Sequence, residues 1–188
     1  MTARVIDGRA FASGLRARVT AEARRLKAEH GITPGVAVIL VGDDPASAVY
    51  VAAKSKAVHE AGFRAFDHRY SANLSLHALS ELIQSLNADS SVHGILVQMP
   101  LPPAIDQRRA VDAIDPLKDV DGLTNANFGR LMTGEYGAGR GLIACTPLGA
   151  LMLVRHALAN ELAGKEALVI GRSNLVGKPM AQLLLAEN

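Results

Sequence analysis

Two short apolar runs, residues 36–41 and Gly94–Val97, constrain the fold of this chain more than any other feature. No charged or polar side chain interrupts either run, which is typical of strands buried on both faces of a parallel sheet. A third, more polar strand is predicted at Arg64–Tyr70. Between the strands, apolar residues recur at helical spacing, which predicts helices at residues 13–30, 46–61 and 75–88. This alternation predicts an α/β fold with a mainly parallel sheet.

The composition agrees with this fold class and narrows the possible partners. Aromatic residues make up only 4% of the chain, so the core must be aliphatic, which suits α/β layers better than an all-β sandwich. The net charge is +2 without a basic stripe, so nucleic-acid binding is not expected. Cys145 is the single cysteine, which excludes an intrachain disulfide and favours a reducing compartment. Neither a signal-peptide core nor an apolar run of roughly 18 residues is present, so we expect a cytoplasmic protein with no membrane partner.

The character of the sequence changes after residue 104, and we expect a domain junction just beyond a polar, turn-rich segment at 115–122. Thr146 is predicted to cap a helix that begins with Pro147 and runs to about residue 162. A strand at 167–170, a loop at 171–179 and a helix to residue 188 are predicted to follow. We therefore predict two three-layer α/β domains, residues 1–121 and 122–188, of which the second is the beginning of a Rossmann-type domain, truncated at residue 188.

Tyr50 and Lys54 lie four residues apart in the second predicted helix, so their side chains share one face. The remainder of this face is small and apolar. A lysine that is partly shielded from water gives up its proton more readily, and can then transfer protons near neutral pH. The alternative is a surface lysine whose apolar stem lies beside a half-buried tyrosine.

Polar residues at two later positions are further site candidates. Gln98 ends a buried strand just before a proline-rich exit, and its amide can donate and accept, so it could orient an amine or a ring. The alternative is a strand-end residue that faces solvent. Asp119 and Asp121 would point the same way in an extended segment and could bind a cation or accept from the N–H edge of a heterocycle. The alternative is an ordinary Asp-Gly turn. Because the histidines are scattered, no metal is expected.

The segment that begins with Gly171, Arg172 and Ser173 lies between a predicted strand and a predicted helix, where a dinucleotide pyrophosphate could rest on helix-terminal N–H groups. It departs from G-x-G-x-x-G, because Ser173 takes the second glycine position and Gly177 comes one residue late. A plain strand–helix connection is the alternative. Cys145, at the start of a predicted helix, is interpreted as a small filler beside the cap.

Five sequence blocks occur together, in order, along nearly the whole chain. They are YVAAKSK at 50–56, GILVQMPLP at 94–102, KDVDG at 118–122, CTPLG at 145–149 and GRSNLVGKPM at 171–180. The set closely resembles the bifunctional methylenetetrahydrofolate dehydrogenase/methenyltetrahydrofolate cyclohydrolase family.

The resemblance implies two reactions in one cleft: NADP-dependent oxidation of 5,10-methylenetetrahydrofolate, and hydrolysis of the resulting 5,10-methenyl cation to 10-formyltetrahydrofolate. By matching position, Lys54 would handle protons and position the one-carbon unit, and Tyr50 would orient the folate. Gln98 would hydrogen-bond Lys54, and Asp121 would bind the pterin edge. The cofactor phosphates would be held by Gly171, Arg172 and Ser173. The resemblance also implies a homodimer, a place in the one-carbon supply for purine synthesis, and no need for a metal, because the substrate is its own electrophile.

The chain departs from the family pattern at three points. After Gly122 the family usually has a His-Pro pair before the next Asn, whereas this chain has LTNAN at 123–127, and Ala144 stands where the family usually has Pro. Family members also continue well beyond Asn188, so we expect a fragment or an incomplete record. A non-catalytic, folate-binding or dimerising remnant is therefore a second hypothesis. A lysine-dependent dehydrogenase of the shikimate type is a third, disfavoured because the blocks around Gln98 and Asp121 would have no reason to occur in it.

Overall fold

The computed structural model describes residues 5–137 and 139–187, so the last residue of the predicted terminal helix lies outside the described part. The chain divides into two compact units, Arg16–Val120 and a second unit of Asp121–Asn188 with the residues up to Leu15. The elements in chain order are α1 (Gly8–His30), β1 (Gly35–Val41), α2 (Pro45–Glu60), β2 (Arg64–Tyr70), α3 (Leu76–Ala88), β3 (Gly94–Val97), α4 (Gln107–Asp112), α5 (Asn125–Thr133), α6 (Cys145–Ala157) and α7 (Gly177–Leu185).

The three strands of the first unit form a parallel sheet with the order β2-β1-β3. Ala37 on the central strand pairs with Phe66 on one side and with Ile95 on the other. The predicted α/β class with a parallel sheet is confirmed. Since β1 is central, the chain crosses to β2 on one side and then returns to β3 on the other, so the carboxyl ends of β1 and β3 form the switch point where open α/β sheets bind ligands.

Alternate residues of β1 enter two different apolar clusters. Ile39, with the β1 residues two positions before and after it, packs with Leu79 and Ile83 of α3. Val38 and Leu40, which point to the opposite face, pack with Val51 of α2. The sheet is therefore covered on both faces, as the uninterrupted apolar runs predict. These three layers fix α2 on one face of β1, beside the carboxyl end of β3.

Side-chain caps explain where three helices of this unit begin. The Asp44 carboxylate accepts from the Ser47 backbone N–H at 2.7 Å, and the Ser75 hydroxyl accepts from Ala78 N–H at 3.1 Å. Helix α4, which the sequence analysis does not predict, begins in the same way, since the Asp106 carboxylate accepts from the two N–H groups of residues 108 and 109. Each cap satisfies donors that have no partner inside the first turn of a helix.

The second unit has a separate apolar core. Leu131 of α5, Leu151 of α6 and Leu183 of α7 pack around Leu162. Helix α5 is not predicted by the sequence analysis. It is delimited by a Thr124 cap and by Gly134 at φ +76°. No helix in the described part of the chain combines the length and apolarity that crossing a membrane requires.

Two predictions for the start and end of α6 are wrong. The helix begins at Cys145, with Ala144 in the N-cap position and no side-chain cap, so Thr146 is not the cap and Pro147 is not the first helical residue. Proline is tolerated there because N–H groups of the first turn have no acceptor within the helix. The helix ends at Ala157 rather than near 162, since Ala159 and Asn160 adopt φ values of 51° and 65°.

The strand predicted at residues 167–170 is also wrong. These residues belong to no strand or helix, and Leu168 and Ile170 are 86% and 94% exposed. A β-strand is defined by hydrogen bonds to a neighbour, and no described segment of the second unit pairs with this one. Apolar, β-branched composition is therefore not sufficient to form a strand at this position.

Candidate active site

Lys54 and Gln98 meet in the first unit, although 44 residues separate them in sequence. Lys54 Nζ donates a hydrogen bond of 3.0 Å to Gln98 Oε1. Gln98 is the first residue after β3, and its backbone N–H donates to the Ile39 carbonyl of β1 at 2.8 Å. The contact therefore lies beside the carboxyl ends of β1 and β3, at the switch point of the sheet, and it is the contact that the family resemblance implies.

The orientation of the Gln98 amide is fixed by a second hydrogen bond. Gln98 Nε2 donates to the carbonyl of Met99 at 2.7 Å, and the Met99–Pro100 peptide is cis. With Nε2 engaged in this way, Oε1 is the atom presented to Lys54. An amide oxygen accepts a hydrogen bond from a lysine in either protonation state, so the pair can hold the nitrogen in place while a proton is gained or lost.

Buried serines set the rotation of α2 about its axis. Ser47 is 2% exposed, and its Oγ lies 3.5 Å from the Met99 carbonyl oxygen. Ser55 Oγ donates to Asp67 Oδ1 of β2 at 2.7 Å. The sequence analysis does not single out these residues, although polar side chains at positions 47 and 55, flanking the buried Val51, mark the face of α2 that packs on the sheet.

With that face of α2 against the sheet, Lys54 is partly buried and Tyr50 is 63% exposed. The Tyr50 ring lies one helical turn before Lys54 and presents most of its surface to solvent. An exposed aromatic ring next to a hydrogen-bonded lysine is suited to stacking on a flat ligand. The alternative of a half-buried Tyr50 is therefore not observed, since most of the ring is exposed.

The two aspartates of the KDVDG block lie in different surroundings. Asp119 is 1% exposed and pairs with Ile95 of β3, whereas Asp121 is partly buried and belongs to the second unit. Residues 120 and 121 form a turn, and Gly122 follows at φ +63°. The extended geometry expected for residues 119–121 is therefore wrong. Only Asp121 remains a candidate for contact with a ligand, because Asp119 is enclosed.

The loop before α7 is a tight, exposed turn. Ser173 Oγ accepts from the N–H groups of Val176 and Gly177 at 3.1 and 3.3 Å, and its carbonyl accepts from Lys178 N–H at 3.0 Å. A Cβ on Gly177 would lie 2.5 Å from the carbonyl carbon and oxygen of Gly171. Glycine at position 177 thus permits the close approach of two backbone segments, which shapes the loop.

The exposed components of this loop are complementary to an anion. The Arg172 side chain is exposed. The Ser173 hydroxyl oxygen accepts from the Val176 N–H, and its own O–H can still donate a hydrogen bond to a ligand. A guanidinium and a hydroxyl at the start of a helix are a phosphate-binding combination. The residues present therefore fit the phosphate groups of a dinucleotide.

The interpretation of Cys145 as a small filler beside a helix cap does not fit, because α6 has no side-chain cap. Cys145 is exposed as the first residue of α6. Across residues 5–137 and 139–187, no group of three or more His, Cys, Asp or Glu side chains is arranged to hold a metal ion.

Two family models match the chain. The catalytic domain of tetrahydrofolate dehydrogenase/cyclohydrolase matches residues 6–121, and the NAD(P)-binding domain of the same family matches residues 144–188. The bifunctional protein FolD of Rhodopseudomonas palustris (strain BisB5) is 56% identical over 188 residues, which cover all of this chain and 62% of that protein. The corresponding protein of Cereibacter sphaeroides is 55% identical with the same coverage.

Solved structures give the same result. The bifunctional enzyme FolD of Campylobacter jejuni superposes with a TM-score of 0.92 at 41% identity, over 98% of this chain and 64% of that one. The Trypanosoma brucei methylenetetrahydrofolate dehydrogenase-cyclohydrolase, solved with NADP cofactor and an inhibitor, gives 0.90 at 37% identity, over 100% of this chain and 63% of that one. This chain thus spans about 62% of the length of the curated relatives that it matches. With its catalytic-domain match and its Lys54–Gln98 site, the chain belongs to the tetrahydrofolate dehydrogenase/cyclohydrolase family.

Proposed function

We propose that this protein is a bifunctional folate one-carbon enzyme. It oxidises 5,10-methylenetetrahydrofolate to 5,10-methenyltetrahydrofolate with NADP⁺ and hydrolyses that product to 10-formyltetrahydrofolate. The observation that carries the proposal is the hydrogen bond from Lys54 Nζ to Gln98 Oε1, which lies at the switch point of the sheet in a chain that belongs to this family.

Lys54 handles the proton of the hydrolysis. Water adds to the methenyl carbon, a C–O bond forms, and the water gives one proton to the Lys54 nitrogen. The added hydroxyl then gives up its remaining proton and becomes the formyl carbonyl as the bond from this carbon to N5 breaks. N5 takes up one proton, so that of the two water protons one ends on N5 and the other leaves through Lys54, and the formyl group stays on N10. Because the methenyl substrate is itself cationic, a neutral lysine is favoured beside it. Gln98 holds Nζ in position through both protonation states.

Tyr50 and Asp121 bind the folate. The exposed Tyr50 ring stacks on or orients the flat part of the substrate, and the Asp121 carboxylate accepts from the N–H edge of the pterin. These roles come from the matching positions of the family, and the exposure of Tyr50 supports the first of them.

Gly171, Arg172 and Ser173 hold the phosphates of NADP. When bound, NADP⁺ supplies the hydride acceptor for the oxidation. The chain's own contribution is an exposed guanidinium, a hydroxyl that is free to donate, and a helix start. The NADP bound to the Trypanosoma brucei relative supports NADP, whereas a yeast relative at 27% identity is described as NAD-dependent, so both cofactors belong in the test.

The domain boundaries and the cellular setting are part of the same proposal. Residues 1–121 form the folate-binding catalytic domain, and residues 122–188 form the first part of the NAD(P)-binding domain. The end of the first family match at residue 121 supports this division. We further propose that the protein is a cytoplasmic homodimer and that its 10-formyl product serves purine synthesis.

The deciding experiment follows methenyltetrahydrofolate by its absorbance. The protein is given 5,10-methylenetetrahydrofolate with NADP⁺ or with NAD⁺, and separately 5,10-methenyltetrahydrofolate alone. We expect NADP-dependent formation in the first assay and accelerated decay in the second. Turnover with NAD⁺ only would refute the cofactor assignment.

Activity in neither assay would favour a second candidate, a non-catalytic folate-binding or dimerising form. Folate binding without turnover, measured by calorimetry, would identify it.

A further inference from the structure

The Lys118 ammonium group closes the carboxyl end of helix α3. Its Nζ donates to the carbonyl oxygens of Leu86, Asn87 and Asp89 at 3.1, 2.7 and 2.8 Å. The last carbonyls of a helix have no partner within it and carry the negative end of the helix dipole. Three charge-assisted hydrogen bonds use all the donors of the ammonium group, so Lys118 has no donor left for another contact.

The backbone around Lys118 is attached to strand β3. The Lys118 carbonyl accepts from Ile95 N–H at 2.7 Å, and Val120 N–H donates to the Ile95 carbonyl at 3.4 Å. Asp119, between them, pairs with Ile95 as a parallel bridge. Residues 118–120 thus run beside β3, and they are held there from one side by the strand and from the other by α3.

Position 94 shows how closely this segment lies against the strand. A Cβ on Gly94 would approach Val120 Cγ1 to 2.4 Å. A second link joins the same parts of the chain, because Asn87 Nδ2 donates to the Ala113 carbonyl and Asn87 Oδ1 accepts from Asp115 N–H, each at 2.9 Å. The end of α3 is therefore tied at two places to the chain that leads into the KDVDG block.

We propose that Lys118 is a positioning residue for folate recognition. Lys118 joins residues 118–120 to the end of α3. It thereby fixes the point at which this segment turns away from β3, and so the position of the next residue, Asp121. Lys118 makes no contact with folate. This inference rests on the proposed function, because it assigns Lys118 an effect that is exerted through the folate-binding Asp121.

The test compares Lys118→Met with the unaltered full chain. Methionine keeps the length and the apolar stem but removes all three hydrogen bonds. We expect the KM for 5,10-methenyltetrahydrofolate in the hydrolysis, and for 5,10-methylenetetrahydrofolate in the oxidation, to rise about tenfold, with kcat changed much less. The KM for NADP⁺ should stay the same. Lys118→Arg, which retains several donors, should recover most of the affinity.

Lys27→Met is the matched control, because Lys27 is an exposed lysine in the last turn of another helix. It should leave both folate KM values unchanged. A purely structural role for Lys118 would lower the unfolding midpoint but leave the folate KM values unchanged, and that result would overturn the proposal.

Two outcomes remain to be separated. If Lys118→Met does not fold, Asn87→Ala loosens the same segment at its second link and should also raise the folate KM, so an unchanged KM in that folded variant would equally overturn the proposal. Should the unaltered chain turn over no folate at all, the proposed function fails, and the inference about Lys118 fails with it.

Discussion

Gly177→Ala is expected to separate the two proposed activities. Gly177 is the first residue of α7, and it faces the backbone of Gly171 across the loop that is proposed to hold phosphate. An added Cβ would lie 2.5 Å from two atoms of Gly171 and 2.8 Å from the Arg172 nitrogen. All three are backbone atoms, so no flexible side chain can move aside.

The size of the effect follows from these distances. Carbon atoms in contact lie about 3.5–4.0 Å apart, so the loop must retreat by about 1 Å. A displacement of this size at a group that positions a reactant can cost about 100-fold in rate. We therefore expect kcat/KM for NADP⁺ to fall about 100-fold, which corresponds to about 2.7 kcal/mol. Hydrolysis of methenyltetrahydrofolate requires no dinucleotide and should be retained.

The assay measures both reactions on the same preparation of each variant. Gly149→Ala is the matched control, because it places alanine in helix α6 with no atom within 4 Å of the new Cβ. This control should leave both rates unchanged. The reasoning is refuted if Gly177→Ala retains its kcat/KM for NADP⁺, or if it loses hydrolysis to the same extent as oxidation.

Two further predictions concern stability. Gly94→Ala should destabilise the first unit by about 1–3 kcal/mol through its clash with Val120, as measured by urea unfolding, and Val120→Ala should restore stability in the double variant. No recovery in that double variant would show that the contact is not the cause. Just after α7, the hydrogen bond from Arg155 lowers the pKa of Glu187 below its ordinary 4.5, so the pair contributes stability above that pH and loses it as the pH falls through the lowered pKa. Glu187→Gln should remove this part of the acid dependence, and an identical pH profile for the variant would contradict the assignment.

The elements of the first unit could be predicted because their signals are local. An uninterrupted apolar run predicts β3 at Gly94–Val97, where the structure has it, and Ser75 marks the start of α3 as its N-cap. The order β2-β1-β3 could not be predicted in this way, since it depends on which sheet face each helix covers. The short helix α4 was not predicted, although Asp106, a residue type that often occupies the N-cap position, immediately precedes it.

The failure at residues 167–170 has a physical cause. The Ala-Leu-Val-Ile segment has the composition of a buried strand, but composition cannot supply the neighbour to which a strand must hydrogen-bond. At α6, the Thr-Pro pair resembled a cap followed by a first helical residue, whereas the helix begins earlier at Cys145. In both cases, the strand at 167–170 and the start of α6, a short residue pattern was read without the neighbouring segments that decide whether the element forms.

In the candidate site, the sequence indicated one contact but not the geometry around it. Resemblance to the family implied the hydrogen bond between Lys54 and Gln98, which the structure contains. The second hydrogen bond of the Gln98 amide, to the Met99 carbonyl, follows from backbone geometry that no residue pattern indicates. The Ser55–Asp67 contact, which fixes α2 on the sheet, is likewise visible only in three dimensions.

The most direct test of the central claim is the rate at which Lys54→Met hydrolyses 5,10-methenyltetrahydrofolate. Methionine retains the apolar stem of Lys54 but removes the nitrogen that Gln98 holds and that is proposed to accept the proton. Lys56→Met, two residues further along α2 and with its side chain 77% exposed, is the matched control. The account predicts a fall in kcat of at least about 100-fold for Lys54→Met and an unchanged rate for Lys56→Met. Hydrolysis by Lys54→Met at the rate of the unaltered protein would contradict it.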